Sequence, residues 1–402
     1  MTAPAQPAAP AADGRKIHQR DASPHLFRPI SFRSVTARNR IMVSPMCQYS
    51  AGTDGVPTDW HLVHLGSRAV GGAGLVMTEA TAVNAEGRIS AGDLGIWSED
   101  QVAAFQRITA FIEQHGAVPA IQLAHAGRKA STLRPWDGTG PERIEEGGWQ
   151  VVGPSPVAFN EGYPAPRELS TAEVRQVIDD FASGAERAVR AGFRAIEVHE
   201  AHGYLIAQFL SPFSNVRNDE YGGSEINRMR FAIEVVESVR AYWPASKPLF
   251  VRFSVEDDAG WGPDQSVTLA KILKPKGVDV IDCSSGGMRG SPVVSAGPVT
   301  YGYQVPYAER LKRDADILTM AVGLIVHADQ AEQILQDGRA DLIALARELL
   351  YNPNWPMDAA QKLGVDRQFG SVPPPQAYWL AKRAQSVKSV VPSTYMKGMK
   401  VG

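Results

Sequence analysis

Eight short apolar runs punctuate the chain from about residue 40 onward, and longer stretches with helical periodicity lie between them. The runs read RIMVSPM (40–46), LVMTEATAV (75–83), PAIQLAHAG (119–127), AIEVHEAHG (195–203), LFVRFSVED (249–257), VDVIDCSSG (278–286), ILTMAVGLI (317–325) and ADLIALA (340–346). Several stay apolar until they turn polar at the C-terminal end, the pattern of strands buried on both faces of a parallel sheet. Among the helical stretches, SEDQVAAFQRITAFIEQHG offers Ser98 as N-cap and Gly116 as the residue just past the C-terminus. STAEVRQVIDDFASGAERAVRAGF opens on Ser170-x-x-Glu173, a capping-box pattern. SEINRMRFAIEVVESVRAYW and HADQAEQILQDG repeat the theme. Strands alternating with helices in this number predict an α/β fold, a single (β/α)8 TIM barrel. A doubly wound sheet fits less well, because no G-x-G-x-x-G follows the first strand or occurs elsewhere.

A polar, Pro/Gly-rich stretch, residues 128–169, separates the third strand from its helix. Loops of this length are usually functional, so a lid insertion is expected there, with Trp136 on its rim. Residues 1–22, rich in Ala and Pro, predict a disordered arm. The barrel is expected over 23–370, and 371–402 as a C-terminal segment that docks on a neighbouring subunit through Tyr378 and Trp379. PPPQ (373–376) reads as a stiff connector.

Composition narrows the class. With 41 Lys+Arg against 43 Asp+Glu the formal charge is −2, which gives no electrostatic surface for nucleic acid or an anionic membrane. No run of about 18 apolar residues predicts a membrane span, and the N-terminal residues lack the basic start and apolar core of a secretion signal. Cys47 and Cys283 are the two cysteines, too few for a disulfide framework, an iron–sulfur cluster or a cysteine zinc site. The expectation is a cytoplasmic enzyme with reduced thiols.

In a barrel of this kind the chemistry sits at the C-terminal ends of the strands. Those ends carry Ser44, Pro45, Met46 and Cys47 with Tyr49, then Glu79 and Ala80, Gln122 and His125, and the cluster His199, His202 and Tyr204. Arg252, the Cys283–Gly286 stretch, Gly323, Ala346 and Arg347 complete the set. A metal site is disfavoured. His199 and His202 are three apart, hence on opposite faces of a strand unless the chain turns between them, and nearby carboxylates are few. Two imidazoles converging on one oxygen would instead polarise a carbonyl, each donor contributing about 3 kcal/mol. Tyr204, a phenol with an unperturbed pKa of about 10, can protonate a carbanion. Arg252 inside an apolar strand needs an anionic or polar partner. Cys283 reads as a buried structural thiol, His125 as a satisfied core histidine, and Lys129 as a solvated loop cation. Trp136 and Trp379 are candidates for shaping a substrate site.

SPMCQYS, TEATAVNAEGRIS, IQLAHAGRKA, HEAHGYLIAQFLSPFSNVRNDEYGGS, FVRFS, DCSSG and ARELLYNPNW occur in this order over about residues 25–380. Together they resemble the old yellow enzyme family, in its bacterial branch with a cysteine by the flavin. The resemblance implies non-covalent FMN reduced by NADPH or NADH, and an ene-reductase acting on activated alkenes (enones, enals, maleimides) and some nitro compounds. It implies that Ser44, Pro45, Met46, Cys47 and Ala80 line the flavin, that Gln122 bonds its pyrimidine edge, and that Arg252 lies near N1 and O2. Gly323, Ala346 and Arg347 would hold the phosphate. His199 and His202 would clamp the substrate carbonyl, Tyr204 would donate the proton, and Cys47 would tune the flavin and touch substrate. Tyr49 would bind substrate too, and Trp379 would cross between subunits of a homodimer or homotetramer. Ala346 stands where the family often has glycine, a change that keeps the backbone N–H. The alternatives are a barrel metallohydrolase using His199 and His202, and a flavoprotein that senses redox state through Cys47 without turnover.

Overall fold

The computed structural model describes residues 23–290, 299–366 and 368–386. A short antiparallel hairpin, β1 (Ile30–Phe32) and β2 (Val35–Ala37), comes first. Eight parallel strands then close a barrel: β3 (Ile41–Val43), β4 (Leu75–Ala82), β5 (Val118–Ala124), β8 (Ala195–Glu200), β9 (Leu249–Ser254), β10 (Val280–Ser284), β11 (Leu318–Ala321) and β12 (Leu342–Leu345). Between β5 and β8 a two-residue parallel pair, β6 (Val152–Gly153) and β7 (Arg167–Glu168), organises the predicted insertion. Each of the eight apolar runs supplies one barrel strand. The strands are shorter than the runs because the polar C-terminal residues turn out into loops.

The helices are α1 (Asp59–Val70), α2 (Glu99–Gln114), α3 (Thr171–Arg190), α4 (Leu205–Leu210), α5 (Glu225–Tyr242), α6 (Pro263–Leu273), α7 (Val305–Ala315), α8 (Ala328–Gln336), α9 (Arg347–Tyr351), α10 (Trp355–Lys362) and α11 (Pro374–Ser386). Ser98 caps α2 reciprocally with Gln101, and Gly116 follows the helix at φ +76°. Ser170 and Glu173 close the capping box of α3. The run PPPQ is a correction: Pro374, Pro375 and Gln376 begin α11 instead of forming a connector. Proline suits a helical first turn, where its missing N–H would have no intrahelical partner. The predicted arm (1–22) and the last residues of the C-terminal segment (387–402) lie outside the described residues. No described helix is long and apolar enough to cross a membrane.

Side chains alternate across each strand. The outward set, including Ile121, Val198, Val251, Phe253, Ile281 and Cys283, packs under the helices. Cys283 is therefore the structural thiol expected. The inward set forms two unlike layers. The lower layer is apolar: Met42, Leu75, Met77, Val118, Ala195, Phe250, Val280, Met320 and Leu342 meet Ile30, Phe32, Val35 and Ala37 of the hairpin, which plugs the barrel's N-terminal end. Phe32 stands edge-on to Phe250 at 5.3 Å. The layer above is polar: Gln122, Glu197, Arg252 and Asp282, all buried. Above it opens the mouth.

Candidate active site at the barrel mouth

β8 ends at Glu200, and the chain turns at His202, which adopts φ +59° while its N–H donates to Ser254 Oγ at 2.8 Å. At Gly203 (φ +68°) a Cβ would lie 2.2 Å from the Gly287 carbonyl oxygen, so only glycine passes the loop after β10. This turn undoes the strand alternation that would have separated the two histidines. Their ring centroids stand 5.1 Å apart at 87°, and Tyr204 lies 5.0 Å from His199 at 80°. His199 Nδ1 accepts from the Ala201 N–H at 3.2 Å, which fixes the proton of the neutral ring on Nε2. His202 Nε2 is 2.7 Å from Ser284 Oγ. Burial, and secondly the Arg252 charge, hold both imidazoles well below the ordinary histidine range, so both are neutral. Burial also pushes the Tyr204 phenol well above its ordinary value, with smaller contributions from Cys47 and Asp93.

Lys129 is a correction. Its Nζ turns inward and donates to the carbonyl oxygens of His202 (2.8 Å) and Gly287 (3.0 Å). It lies over the Phe159 ring at 4.6 Å and the Tyr204 ring at 5.1 Å, and burial lowers its pKa to about 8. The short helical turn Gly127–Lys129 sets that direction, and apolar periodicity carries no trace of it. Beside it, buried Arg128 donates to the carbonyls of Val157, Ala158 and Met288, tying the insertion to the loop after β10. His125 is a buried core histidine but only half satisfied: Nδ1 accepts from the Gly127 N–H, Nε2 is buried without a hydrogen-bond partner, and burial lowers its pKa to about 3.

The loop after β3 carries Ser44 to Tyr49. Glu79 accepts from the backbone N–H groups of Gln48 and Tyr49, and buried His61 Nε2 stands 3.2 Å from its other oxygen. Thus held, Tyr49 adopts φ +49° and meets Trp136 of the insertion edge-on at 5.9 Å. Cys47, Tyr49 and Tyr204 pack together against Ala80, Ala124 and Ala126. Burial, followed by Asp93 and Glu79, raises the Cys47 pKa well above its ordinary value, outweighing the Ala80 N–H and the Tyr49 hydroxyl. Cys47 is a protonated thiol.

Beside this cluster opens a cavity of about 420 Å³, within the range of small-molecule sites. His202, Arg252, Ser284, Gly323, Ala346 and Arg347 are among its lining residues. Arg252 Nη1 donates to Ser44 Oγ at 3.4 Å, connecting the cavity to the β3 loop that continues through Pro45 and Met46. Gly323 has φ +111°, and a Cβ there would meet Gln304 Nε2 at 2.8 Å and the Tyr303 ring at 3.0 Å. Gln122 Nε2 donates to Glu197 Oε1 at 2.8 Å, and Arg252 Nε lies 3.2 Å from Asp282 Oδ2. Trp379 stands apart on α11, 65% exposed, its ring against Tyr378 and Lys382.

Glu197, Asp282, Lys129, the His61–Glu79 pair and Ser284 are site residues without a role in the sequence reading. Glu197 and Asp282 did carry a signal, an acid inside an apolar strand, the same one that marked Arg252. Among the described residues no three His, Cys, Asp or Glu side chains gather as a metal centre would require.

The family described as "NADH:flavin oxidoreductase / NADH oxidase family" matches residues 25–366. An NADPH dehydrogenase of Geobacillus sp. (strain WCH70) is 49% identical over 344 residues, covering 85% of this chain and 95% of its own. Among solved structures, morphinone reductase aligns with a TM-score of 0.72 at 27% identity, over 84% of this chain and 90% of its own. An old yellow enzyme homologue from Zymomonas mobilis aligns with a TM-score of 0.71 at 29% identity, over 84% and 93%.

Proposed function

The chain belongs to the NADH:flavin oxidoreductase / NADH oxidase family, as an NAD(P)H-dependent FMN oxidoreductase of old yellow enzyme type, and from that premise we propose that it is an ene-reductase acting on activated alkenes. The observation that carries this reading is the convergence of His199, His202 and Tyr204, three neutral rings beside a cavity with two guanidinium groups.

The residues present fit FMN. Gly323, where a Cβ would fill the cradle, joins Ala346 and the Arg347 charge as the phosphate end, at the loops after the last two strands where barrels commonly bind phosphate. Arg252 and Gln122 would meet the pyrimidine edge, and a fixed guanidinium there favours negative charge on the reduced ring. Ser44, Pro45, Met46, Cys47 and Ala80 would line the ring system. When bound, FMN accepts hydride from NAD(P)H and delivers it to the β-carbon of the alkene.

The remaining chemistry belongs to the chain. His199 Nε2–H and a ring N–H of His202 donate to the substrate carbonyl and hold the oxygen as it gains charge. With the Ser284 Oγ–H turned to His202 Nε2 at 2.7 Å rather than to Gln304 Oε1 at 3.4 Å, the donor facing substrate is Nδ1–H. Tyr204 gives its proton to the α-carbon. Lys129, over the Tyr204 ring, steadies the phenolate before solvent reprotonates it. Tyr49 and Trp136 close the substrate side, and Trp379 would reach the site of a neighbouring subunit. Nicotinamide and alkene use one site in turn, so kinetics are ping-pong. A raised Cys47 pKa argues against a sensor that works through its thiolate.

The test separates the half-reactions under anaerobic stopped flow. Tyr204→Phe is expected to slow oxidation by cyclohexenone by about 10²–10⁴-fold, with reduction by NADPH changed by less than about threefold. Equal losses in both halves would remove Tyr204 as the proton donor.

A further inference from the structure

The polar layer beneath the mouth holds two acids and one permanent cation. Glu197 Oε1 accepts from Gln122, and Asp282 Oδ2 lies 3.2 Å from Arg252 Nε. Glu197 Oε2 and both Asp282 oxygens have no hydrogen-bond partner, and both side chains are 0% exposed. The groups facing Glu197 are Gln122 from β5, Arg252 from β9 and Asp282 from β10, with His199 one inward position higher on β8. Below are Ala195, Phe250 and Val280, all apolar. If both acids were ionised, the barrel interior would carry one negative charge that neither protein nor solvent compensates, the costly case for a buried ion.

We propose that Glu197 and Asp282 hold one proton between them across Arg252, so that the floor of the cofactor site is neutral at rest and accepts the charge of reduced FMN. Burial pushes both carboxyls up, and the Asp282 charge adds to the rise at Glu197; Arg252, 3.2 Å from Asp282, favours the anion there and leaves the proton on Glu197. The count closes as follows. NAD(P)H transfers a hydride to FMN and leaves as oxidised nicotinamide, adding one negative charge above the floor. With Glu197 protonated, Arg252 and Asp282 cancel and the added charge faces a neutral layer. Above the Glu197 titration the floor itself is negative, and reduction of the cofactor draws one extra proton from water onto Glu197. Glu197 is a positioning residue that acts through Arg252 and Gln122.

This rests on FMN occupying the cavity, and the experiment separates the two claims. The FMN stoichiometry of the purified holoprotein comes first; a protein that takes up no FMN defeats the functional reading. The proton is then read two ways. By infrared difference spectroscopy, the wild type shows a protonated-carboxyl stretch that Glu197→Gln lacks, a readout that applies to the apoprotein too. By potentiometry between about pH 6 and about pH 10, wild-type FMN takes up one proton per two electrons at low pH and two at high pH. Glu197→Gln takes up one throughout. Asp282→Asn is the second variant should Glu197→Gln not fold: it leaves Glu197 as the sole anion beside Arg252, which abolishes the carboxyl band and the two-proton limb. An unchanged band, or a two-proton limb that survives in whichever variant folds, overturns the proposal.

Discussion

The two ends of the barrel interior are built to opposite rules, though the same eight strands line both. At the N-terminal end, apolar side chains meet an apolar plug, Phe32 against Phe250 and the hairpin against Met42, Leu75 and Met320. At the mouth and in the polar layer just beneath it, His61, Glu79, Asp93, Glu197, Arg252 and Asp282 are buried. Among the described residues, four of the seven non-glycine residues at positive φ (Tyr49, Ser131, His202 and Leu324) lie in loops that follow strand ends there. Strain and buried charge persist only where the surrounding structure over-determines them. The lower layer supplies that rigidity, at a distance of one or two residues along each strand. Stability and function are thus separated along the barrel axis, and substitutions should reveal the boundary.

The largest effect is expected below it. Phe250→Ala removes a fully buried ring from the plug and should cost about 3–5 kcal/mol in denaturant unfolding. FMN stoichiometry at low temperature should hold. Loss of FMN binding with little loss of stability would erase the division.

The next is its mirror image. His199→Ala should weaken binding of a phenolic ligand by about 100-fold, the scale of one lost preorganised donor, and leave the unfolding midpoint nearly unchanged. Because both imidazoles are held neutral by burial, that binding should show no histidine titration near pH 6.5. A large fall in stability in this variant would make the clamp part of the core.

How much of this could be read from the chain follows the same division. The eight strands were legible because burial on both faces writes continuous apolar runs. The helices α2, α3, α5 and α8 were legible from caps and period. Helix α1 was not, since buried His61, His64 and Arg68 interrupt its apolar stripe. At the mouth, residue types were legible but directions were not. Lys129 turns inward on a three-residue helical turn, and His202 joins His199 through a positive φ, neither of which periodicity encodes. Glu197 and Asp282 sat in plain view inside strand patterns. An ionisable side chain within a strand buried on both faces needs a counter-charge, and that requirement marks Glu197 and Asp282 as it marks Arg252.

A smaller effect concerns pH. The folded state raises Glu197 from 4.5 to about 8, and burial raises Glu200 and Asp93 in the same direction. These groups keep protons that the unfolded chain releases. For Glu197 the contribution to stability is therefore complete below about 4.5 and is lost as pH rises toward 8, and the other two act in the same direction. Thermal unfolding at pH 5 and pH 8 should show a fall that Glu197→Gln reduces by a few degrees. An identical fall in both proteins would mean that Glu197 ionises without cost and that the polar layer resembles the surface more than the interior.

The smallest effect gives the finest division, within the mouth itself. Ser284 is an inward residue of β10, one position above Asp282, and touches no substrate in the proposed arrangement; its hydroxyl selects which nitrogen of His202 carries the proton. Ser284→Ala leaves the ring in place, because the His202 N–H still donates to Ser254. It frees the ring to move its proton to Nε2, away from the carbonyl. With most of the population moved to Nε2–H, carbonyl affinity and the rate of alkene reduction fall together by a few-fold to about tenfold. Reduction by NADPH serves as the internal reference. Ser284→Thr keeps the hydroxyl and should restore the rate, which a purely structural role for Ser284 does not predict. Nitrogen-15 shifts of the His202 ring would report the tautomer directly, with Nδ1–H in the wild type and a mixture in Ser284→Ala. Nε2–H in the wild type would place the donor on the wrong nitrogen and remove His202 from the clamp, leaving His199 to polarise the carbonyl alone.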